Sequence, residues 1–272
     1  MRKSTEGVPW LAPRVKVAKS GYYLRSLVTL AGLAQGGTLT ARLLRPAGTL
    51  VLRDGLRIRI RSRIDLLVLV ETLARDAYGL RELEERARTI VDVGAGIGDF
   101  TVVAARAFPR ARVVAFEPDP CAFALLVANV ETNGTRNVDA RQTAVGTAAA
   151  YGLVHDAPFA AVTPAGADDP GAVAGVRLDD ALEGASVDLL KVDCEGAELD
   201  VLASLGRAGL ARVRRIAIEY HGAARADEVS AMLDRHGFEV AVTPDRYWRE
   251  LGYVRAVARG GRVRLDGPRD RL

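Results

Sequence analysis

Short apolar runs recur along the second two-thirds of the chain, and several are followed by stretches with helical spacing. Seven runs have strand length: Thr89–Val93, Arg112–Phe116, Asp139–Val145, Val187–Asp193, Arg214–Glu219, Glu239–Thr243 and Tyr253–Ala258. Helices fit after the first (Phe100–Phe108), second and fourth runs. Ala226–His236 precedes the sixth, with Gly237 as its terminator. This alternation predicts a parallel sheet covered by helices on both faces. No helix-length segment separates the last two runs, so they are expected to pair as an antiparallel hairpin.

Residues 1–88 carry a different pattern. Gly21–Ala34 reads as a helix broken at Gly36-Gly37, and Leu39–Leu44 as a shorter one ending before Pro46. The apolar face of the first suits a lid over a substrate, a dimer contact, or packing against the rest of the chain. Thr49–Ile64 reads as two strands around an Asp54-Gly55 turn. The second strand alternates Leu56, Ile58 and Ile60 with Arg57, Arg59 and Arg61, with Arg63 beyond. That arginine row is either a grip for a phosphorylated or carrier-bound substrate or a solvated sheet face. Asp65–Ala77 completes the segment as an amphipathic helix. Gly152–Gly175, rich in Gly, Ala, Pro and Asp, shows no clear period; it is expected to be a long substrate-facing loop whose order depends on ligand. The expected organisation is an N-terminal helical and β-hairpin extension (1–88), a core domain (89–259) and a flexible tail (260–272).

The most informative stretch is Val91–Phe100, Val-Asp-Val-Gly-Ala-Gly-Ile-Gly-Asp-Phe. A strand running through glycines 94, 96 and 98 into a helix is the arrangement that brings backbone N–H groups against a nucleotide-like ligand. The position completing G-x-G-x-x-G is Asp99, which favours S-adenosylmethionine (SAM) over a dinucleotide. The second run ends in Glu117-Pro118-Asp119-Pro120, placing the Glu117 carboxylate to accept from both hydroxyls of an adenosine ribose. The reading therefore expects a cofactor site from Asp92, Gly94, Ala95, Gly96, Gly98, Asp99, Phe100, Glu117, Pro118 and Asp193. Thr143, Ala144 and Val145 would frame the adenine, and Asp92 would meet the methionine ammonium directly or through water.

Composition narrows the class. The chain has 272 residues, 49% of them hydrophobic, which excludes wholesale disorder and fits an enzyme-sized core. A net charge of +4 with a pI near 9.3 reflects arginine in excess of lysine, which occurs only at 3, 16, 19 and 191. The basic balance is too diffuse to argue for nucleic acid. Cys121 and Cys194 have neither disulfide-framework nor zinc spacing, so a reduced cytoplasmic setting is expected. The basic N-terminus lacks the uninterrupted apolar stretch of a signal peptide. No segment reaches the roughly 18 apolar residues of a membrane span, so no membrane partner is expected.

Two strand ends are loaded with acids. The fourth run finishes Lys191-Val192-Asp193-Cys194-Glu195-Gly196-Ala197-Glu198, and the fifth finishes Glu219-Tyr220-His221. Open α/β sheets bind ligands at these ends, so Asp193, Glu195, Glu219 and His221 are the expected catalytic set. The bland alternatives are a helix cap for Asp193 and solvent for Glu198; Cys194 reads as a bystander.

The ordered series VDVGAGIGDF, VVAFEPDP, Asn129 with Asn133-Gly134, Ala144-Val145-Gly146, VRLDD, DLLKVDCEGAE and IAIEYH resembles the FkbM family of SAM-dependent methyltransferases over about residues 89–221. The family usually carries Asn where this chain has Gly96. The resemblance implies an α/β, Rossmann-like class I methyltransferase sheet of seven strands with an antiparallel terminal hairpin. It also implies O-methylation of a hydroxyl on a sugar, polyketide or other specialised metabolite. Such a hydroxyl must lose its proton, for which His221 and Asp193 are candidate bases, with Glu219 orienting the imidazole. A divalent cation on Asp193, Glu195 or Glu219 with His221 is a second device, and the metal stays open. The competing readings are a nucleic-acid methyltransferase, an NAD-dependent oxidoreductase and a non-catalytic binding protein. The first would ordinarily show an Asn-Pro-Pro-Tyr-like block or a catalytic cysteine. The expected partner is a small hydroxylated acceptor rather than nucleic acid, and oligomeric state is left open.

Overall fold

A computed structural model of the protein describes residues 24–156, 159–166, 168–245 and 250–260. The basic N-terminal residues and the tail beyond residue 260 lie outside them. The described chain opens with helix α1 (24–33) and α2 (Thr38–Leu44). The strands β1 (Gly48–Val51) and β2 (Arg57–Ile60) then pair antiparallel around the Asp54-Gly55 turn. Helix α3 (Arg63–Val70) starts on a capping box in which Ser62 and Asp65 satisfy each other's backbone N–H groups. The amphipathic helix expected to reach Ala77 ends early. It loosens into a π-helical turn, Glu71–Arg75, closed by Asp76 in the left-handed region.

The core domain follows as β3 (Thr89–Val93), α4 (Asp99–Ala107), β4 (Arg112–Phe116), α5 (Pro120–Thr132) and β5 (Val138–Arg141). Next come β6 (Ala144–Val145), β7 (Ala150–Asp156), β8 (Phe159–Pro164), β9 (Val173–Val176) and α6 (Leu178–Leu182). The chain then returns through β10 (Leu189–Val192), α7 (Glu198–Leu210), β11 (Arg215–His221), α8 (Ala223–Arg235), β12 (Phe238–Pro244) and β13 (Leu251–Ala258). Seven strands form one sheet in the order β12-β13-β11-β10-β3-β4-β5. All neighbours are parallel except β13, which runs antiparallel to both β11 and β12. This is the class I methyltransferase order, with the terminal hairpin inserted beside the fifth strand.

Two expectations fail. The run Asp139–Val145 is not one strand: β5 stays in the large sheet, whereas β6 leaves it to pair with β9. The segment 152–175 is no loop, since β7 and β8 form an antiparallel hairpin from Tyr151↔Pro164 to Asp156↔Phe159, and β9 pairs with β7. Gly152 and the adjacent Ala160 and Ala161 hid the period. Tyr151 anchors this sheet, fully buried, with its hydroxyl on Asp200 of α7.

Alternation along the strands sorts the core. Val91, Val93, Leu190, Val192, Ile216 and Ile218 pack on the face covered by α6, α7 and α8. Ile90, Leu189 and Ala217 face the other way, against α4 and Ala77–Tyr78. The N-terminal extension has its own core, in which Leu30, Leu50, Ile58, Leu66 and Leu69 meet Ile97 and Val102. Thus α1 packs against the extension's hairpin and helices, while Leu24 and Val28 stay exposed on its outer side. Arg57 and Arg59 also point to solvent.

The edge of β2 is closed by two side chains one turn apart on α5. Asn133 accepts from Arg57 N–H and donates to Arg57 C=O; Asn129 does the same with Arg59 and donates to Ile97 C=O as well. The carboxamides act as a substitute strand, which gives the Asn129/Asn133 pair a physical reason. Because Asn129 is fully buried, Asn129→Ala strands three backbone groups and is expected to cost about 2–4 kcal/mol in denaturant unfolding. A loss below about 0.5 kcal/mol would show that the hairpin does not depend on this contact.

Candidate active site

The three glycines after β3 differ in purpose. All have positive φ, at 74°, 54° and 83° for Gly94, Gly96 and Gly98. A Cβ on Gly94 would lie 1.8 Å from the Asp193 carbonyl oxygen, so this glycine lets the loop touch the end of β10. A Cβ on Gly98 would meet Leu126 of α5 at 2.4 Å, so that one allows close helix packing. Beside Gly96 there is open space out to 4 Å. Its left-handed backbone is one that asparagine also tolerates, which reconciles Gly96 with the asparagine usual in the resembling family.

Glu117 stands at the end of β4, buried, with Oε2 accepting from Gly96 N–H at 2.7 Å and Oε1 from Asp119 N–H at 2.9 Å. Burial raises its carboxyl to about 7 against the pull of those N–H groups. Each oxygen keeps a second lone pair, so a ribose diol could still be held there. An open left-handed turn beside a buried, strand-end carboxylate fits the adenosine and methionine parts of SAM.

Other expected cofactor residues sit deeper. Asp92 is fully buried, accepting from Thr101 at 2.6 Å and paired with Lys191 Nζ at 2.9 Å. Its carboxylate is thus engaged inside the protein rather than presented to a ligand ammonium. Asp99 accepts from Thr72 of the π-helical turn at 2.5 Å; burial raises its carboxyl to about 6. Phe100 packs edge-on to Tyr78. Ala95 is buried and Pro118 half-buried. Thr143 donates to Ala174 C=O, and Ala144 and Val145 are the buried β6 pair, so this trio belongs to the second sheet.

The residues of opposite parity to the aliphatic core build the polar centre. Lys191 lies in register with Asp92 across β10 and β3. Its ammonium, nearly fully buried, also donates to Gly94 C=O at 2.7 Å, approaches Asp193 at 3.6 Å and sits over the Tyr78 ring. Burial opposes this charge, but Asp92 and Asp193 hold its pKa above the ordinary lysine value.

Beyond β10 and β11 the acids converge. Tyr78 hydroxyl lies 2.9 Å from Asp193 Oδ2 and 3.1 Å from Glu219 Oε2. Burial, then the Asp193 charge, pushes the Glu219 carboxyl well above the usual range. His221 is bracketed by Glu195 at Nε2 and Glu198 at Nδ1, both at 3.1 Å. Although burial opposes protonation, Glu198 and Glu195 raise the imidazole to about 9, while burial lifts Glu195 itself to about 7.

Two expectations change here. Glu198 is not solvated but fully buried, with its Oε1 also accepting from Gly196 N–H. The imidazole is oriented by Glu198 and Glu195, whereas Glu219 is bound to Tyr78. Both ring nitrogens of His221 are thus engaged by carboxylates, whose charge favours the protonated imidazole. Asp193, Glu195 and His221 nevertheless each bring a ligand atom within 4.8 Å of one another, and this trio could hold a metal ion.

Tyr78, Thr72, Lys191 and Glu198 did not enter the expected site. A lone lysine inside the apolar run Leu189–Val192 was a legible sign of a buried pair. Nothing local marks Tyr78 or Thr72, whose partners are more than 25 residues away. Among the described residues, no helix is long and apolar enough to cross a membrane.

Comparison with known proteins identifies the family. The model of the methyltransferase FkbM domain matches residues 92–240, more than half of the chain. The chain is 33% identical over 205 residues to the AMB antimetabolite synthetase AmbE of Pseudomonas aeruginosa, covering 57% of this chain but only 10% of that protein. It is 31% identical over 182 residues to Methyltransferase 1 of Beauveria bassiana, covering 56% of this chain and 73% of the relative. It is also 31% identical over 195 residues to the 31-O-demethyl-FK506 methyltransferase FkbM of Streptomyces tacrolimicus, covering 57% and 74%. With its strand order and glycine turn in agreement, the chain belongs to the FkbM methyltransferase family.

Proposed function

We propose that the protein is a SAM-dependent O-methyltransferase acting on a hydroxyl of a sugar, polyketide or other specialised metabolite. The observation that carries this reading is the Asp193 carboxylate. It sits beside the glycine turn, and its side chain is 22% exposed. Its Oδ2 is engaged by Tyr78, with Lys191 nearby, while Oδ1 has no partner among the described residues. The family membership and the printed name of the Streptomyces relative support an oxygen acceptor.

When bound, SAM supplies an electrophilic methyl group on a sulfonium. The glycine turn would approach its methionine part and Glu117 its ribose. Asp193 Oδ1 would accept the hydroxyl proton of the acceptor as its oxygen gains the methyl group. Lys191 holds the turn and Asp193 at fixed separation, so much of the catalysis comes from alignment.

A second reading is favoured by the Asp193, Glu195 and His221 trio. A divalent cation there would take the place of the imidazole proton and lower the pKa of a bound hydroxyl.

Transfer of labelled methyl from SAM to a panel of hydroxylated sugars and polyketides, with amines and RNA alongside, tests the proposal. Label on a hydroxyl oxygen is expected; label only on an amine or RNA would overturn it. Glu117→Ala is expected to weaken S-adenosylhomocysteine binding by about 1.5–3 kcal/mol in calorimetry; unchanged affinity would remove Glu117 from the site. Asp193→Asn is expected to lower turnover by about 100-fold or more while binding of S-adenosylhomocysteine persists. Near wild-type turnover would exclude Asp193 as proton acceptor. Titration with Mn2+, followed by the electron paramagnetic signal of the free ion, separates the two activation devices. Binding that Glu195→Gln abolishes supports the cation, and absence of binding rejects it.

A further inference from the structure

We propose that Tyr78, contributed by the N-terminal extension, is a positioning residue of the methyl-transfer site, whose hydroxyl fixes Asp193 through Oδ2 and so leaves Oδ1 as the oxygen available to an acceptor hydroxyl. The inference rests on the reading of Asp193 as the proton acceptor.

Geometry separates the hydroxyl from the ring. The Tyr78 ring is buried, edge-on to Phe100 at 5.5 Å and to Tyr253 at 5.8 Å, with Lys191 Nζ 5.3 Å from its centre. A phenylalanine would make those ring contacts equally well. The hydroxyl adds only its approach to Asp193 and Glu219, which stand on neighbouring strand ends. A phenol is a rigid donor with no rotatable bond except its own C–O, so it holds a carboxylate more firmly than water does.

The chain around Tyr78 is itself pinned, by groups outside the site. Asp76 and Gly79 both have positive φ, and Asp76 accepts from Arg81 N–H. A Cβ on Gly79 would fall 2.0 Å from the Arg255 guanidinium, so glycine lets the turn rest against β13. Glu82 then pairs with Arg255 at 2.6 Å and with Arg215 of β11 at 3.2 Å. Both arginines are buried, and charges placed there are costly unless paired. The extension is therefore fastened to β11, the strand that carries Glu219, and to its neighbour β13. Its tyrosine reaches back over the site from a turn that has little freedom.

The test is carbon-13 NMR of protein labelled at the aspartate carboxyl carbons, saturated with S-adenosylhomocysteine, for wild type and Tyr78→Phe. The Asp193 resonance is identified by its loss in Asp193→Asn. The expected result is a single Asp193 resonance in the wild type that shifts and broadens or splits in Tyr78→Phe, with cofactor-product affinity within about twofold of wild type. An Asp193 resonance unchanged by Tyr78→Phe would overturn the proposal. Wild-type protein carrying carbon-13 at tyrosine Cζ gives a second measurement that needs no stable Tyr78 variant. A downfield, exchange-protected hydroxyl proton on Tyr78 is expected, moving upfield in Asp193→Asn; its absence would also overturn the proposal. Neither measurement uses a methyl acceptor. Failure of the acceptor panel and failure of this positioning role are therefore read independently.

Discussion

The buried ammonium of Lys191 is the constraint on which the site depends. It stands in the middle of a seven-stranded sheet, where a charge survives only with partners. Those partners are the parts that must be held together: Asp92 on the next strand, Gly94 C=O at the start of the glycine turn, and Asp193 at the strand end. One cation thereby ties the glycine turn after β3 to the carboxylate at the end of β10. Gly94 adds a steric condition to the same link, since any side chain there would collide with Asp193.

The polar centre follows from strand parity. On β3, β10 and β11 an all-aliphatic set, Val91, Val93, Leu190, Val192, Ile216 and Ile218, fills the face covered by α6, α7 and α8. The opposite parity is left for Asp92, Lys191 and Glu219, and that face is closed by α4 and the segment before β3. The N-terminal extension is accordingly a wall of the site. Thr72 reaches Asp99, Tyr78 reaches Asp193 and Glu219, and the Asn129–Asn133 pair docks the hairpin that carries this segment.

Much of the core was legible because its signals are local. Apart from β5, Val-Asp-Ala-Arg, the strands of the large sheet are compact, mostly apolar runs, and the lack of a helix between the last two marked the terminal hairpin. The glycine turn and Glu117 were legible for the same reason, being fixed by what immediately precedes and follows them. The hairpin β7–β8 was not, because Gly152, Ala160 and Ala161 carry no alternation strong enough to read. At the strand ends, residue types could be listed but not partnered. Whether an acid next to His221 is Glu219, Glu195 or Glu198 depends on the strand-to-helix turn at Glu195 and Gly196, both of positive φ. That turn brings Glu198 inward, onto the imidazole Nδ1.

The central claim is that the turn after β3 and the carboxylate after β4 form a SAM site. Calorimetric titration of the whole protein with S-adenosylhomocysteine and, separately, with NAD tests it most directly. The account predicts saturable binding of one S-adenosylhomocysteine per chain and no heat with NAD. Binding of NAD without binding of S-adenosylhomocysteine would contradict it, together with the roles assigned to Gly94, Gly96 and Glu117.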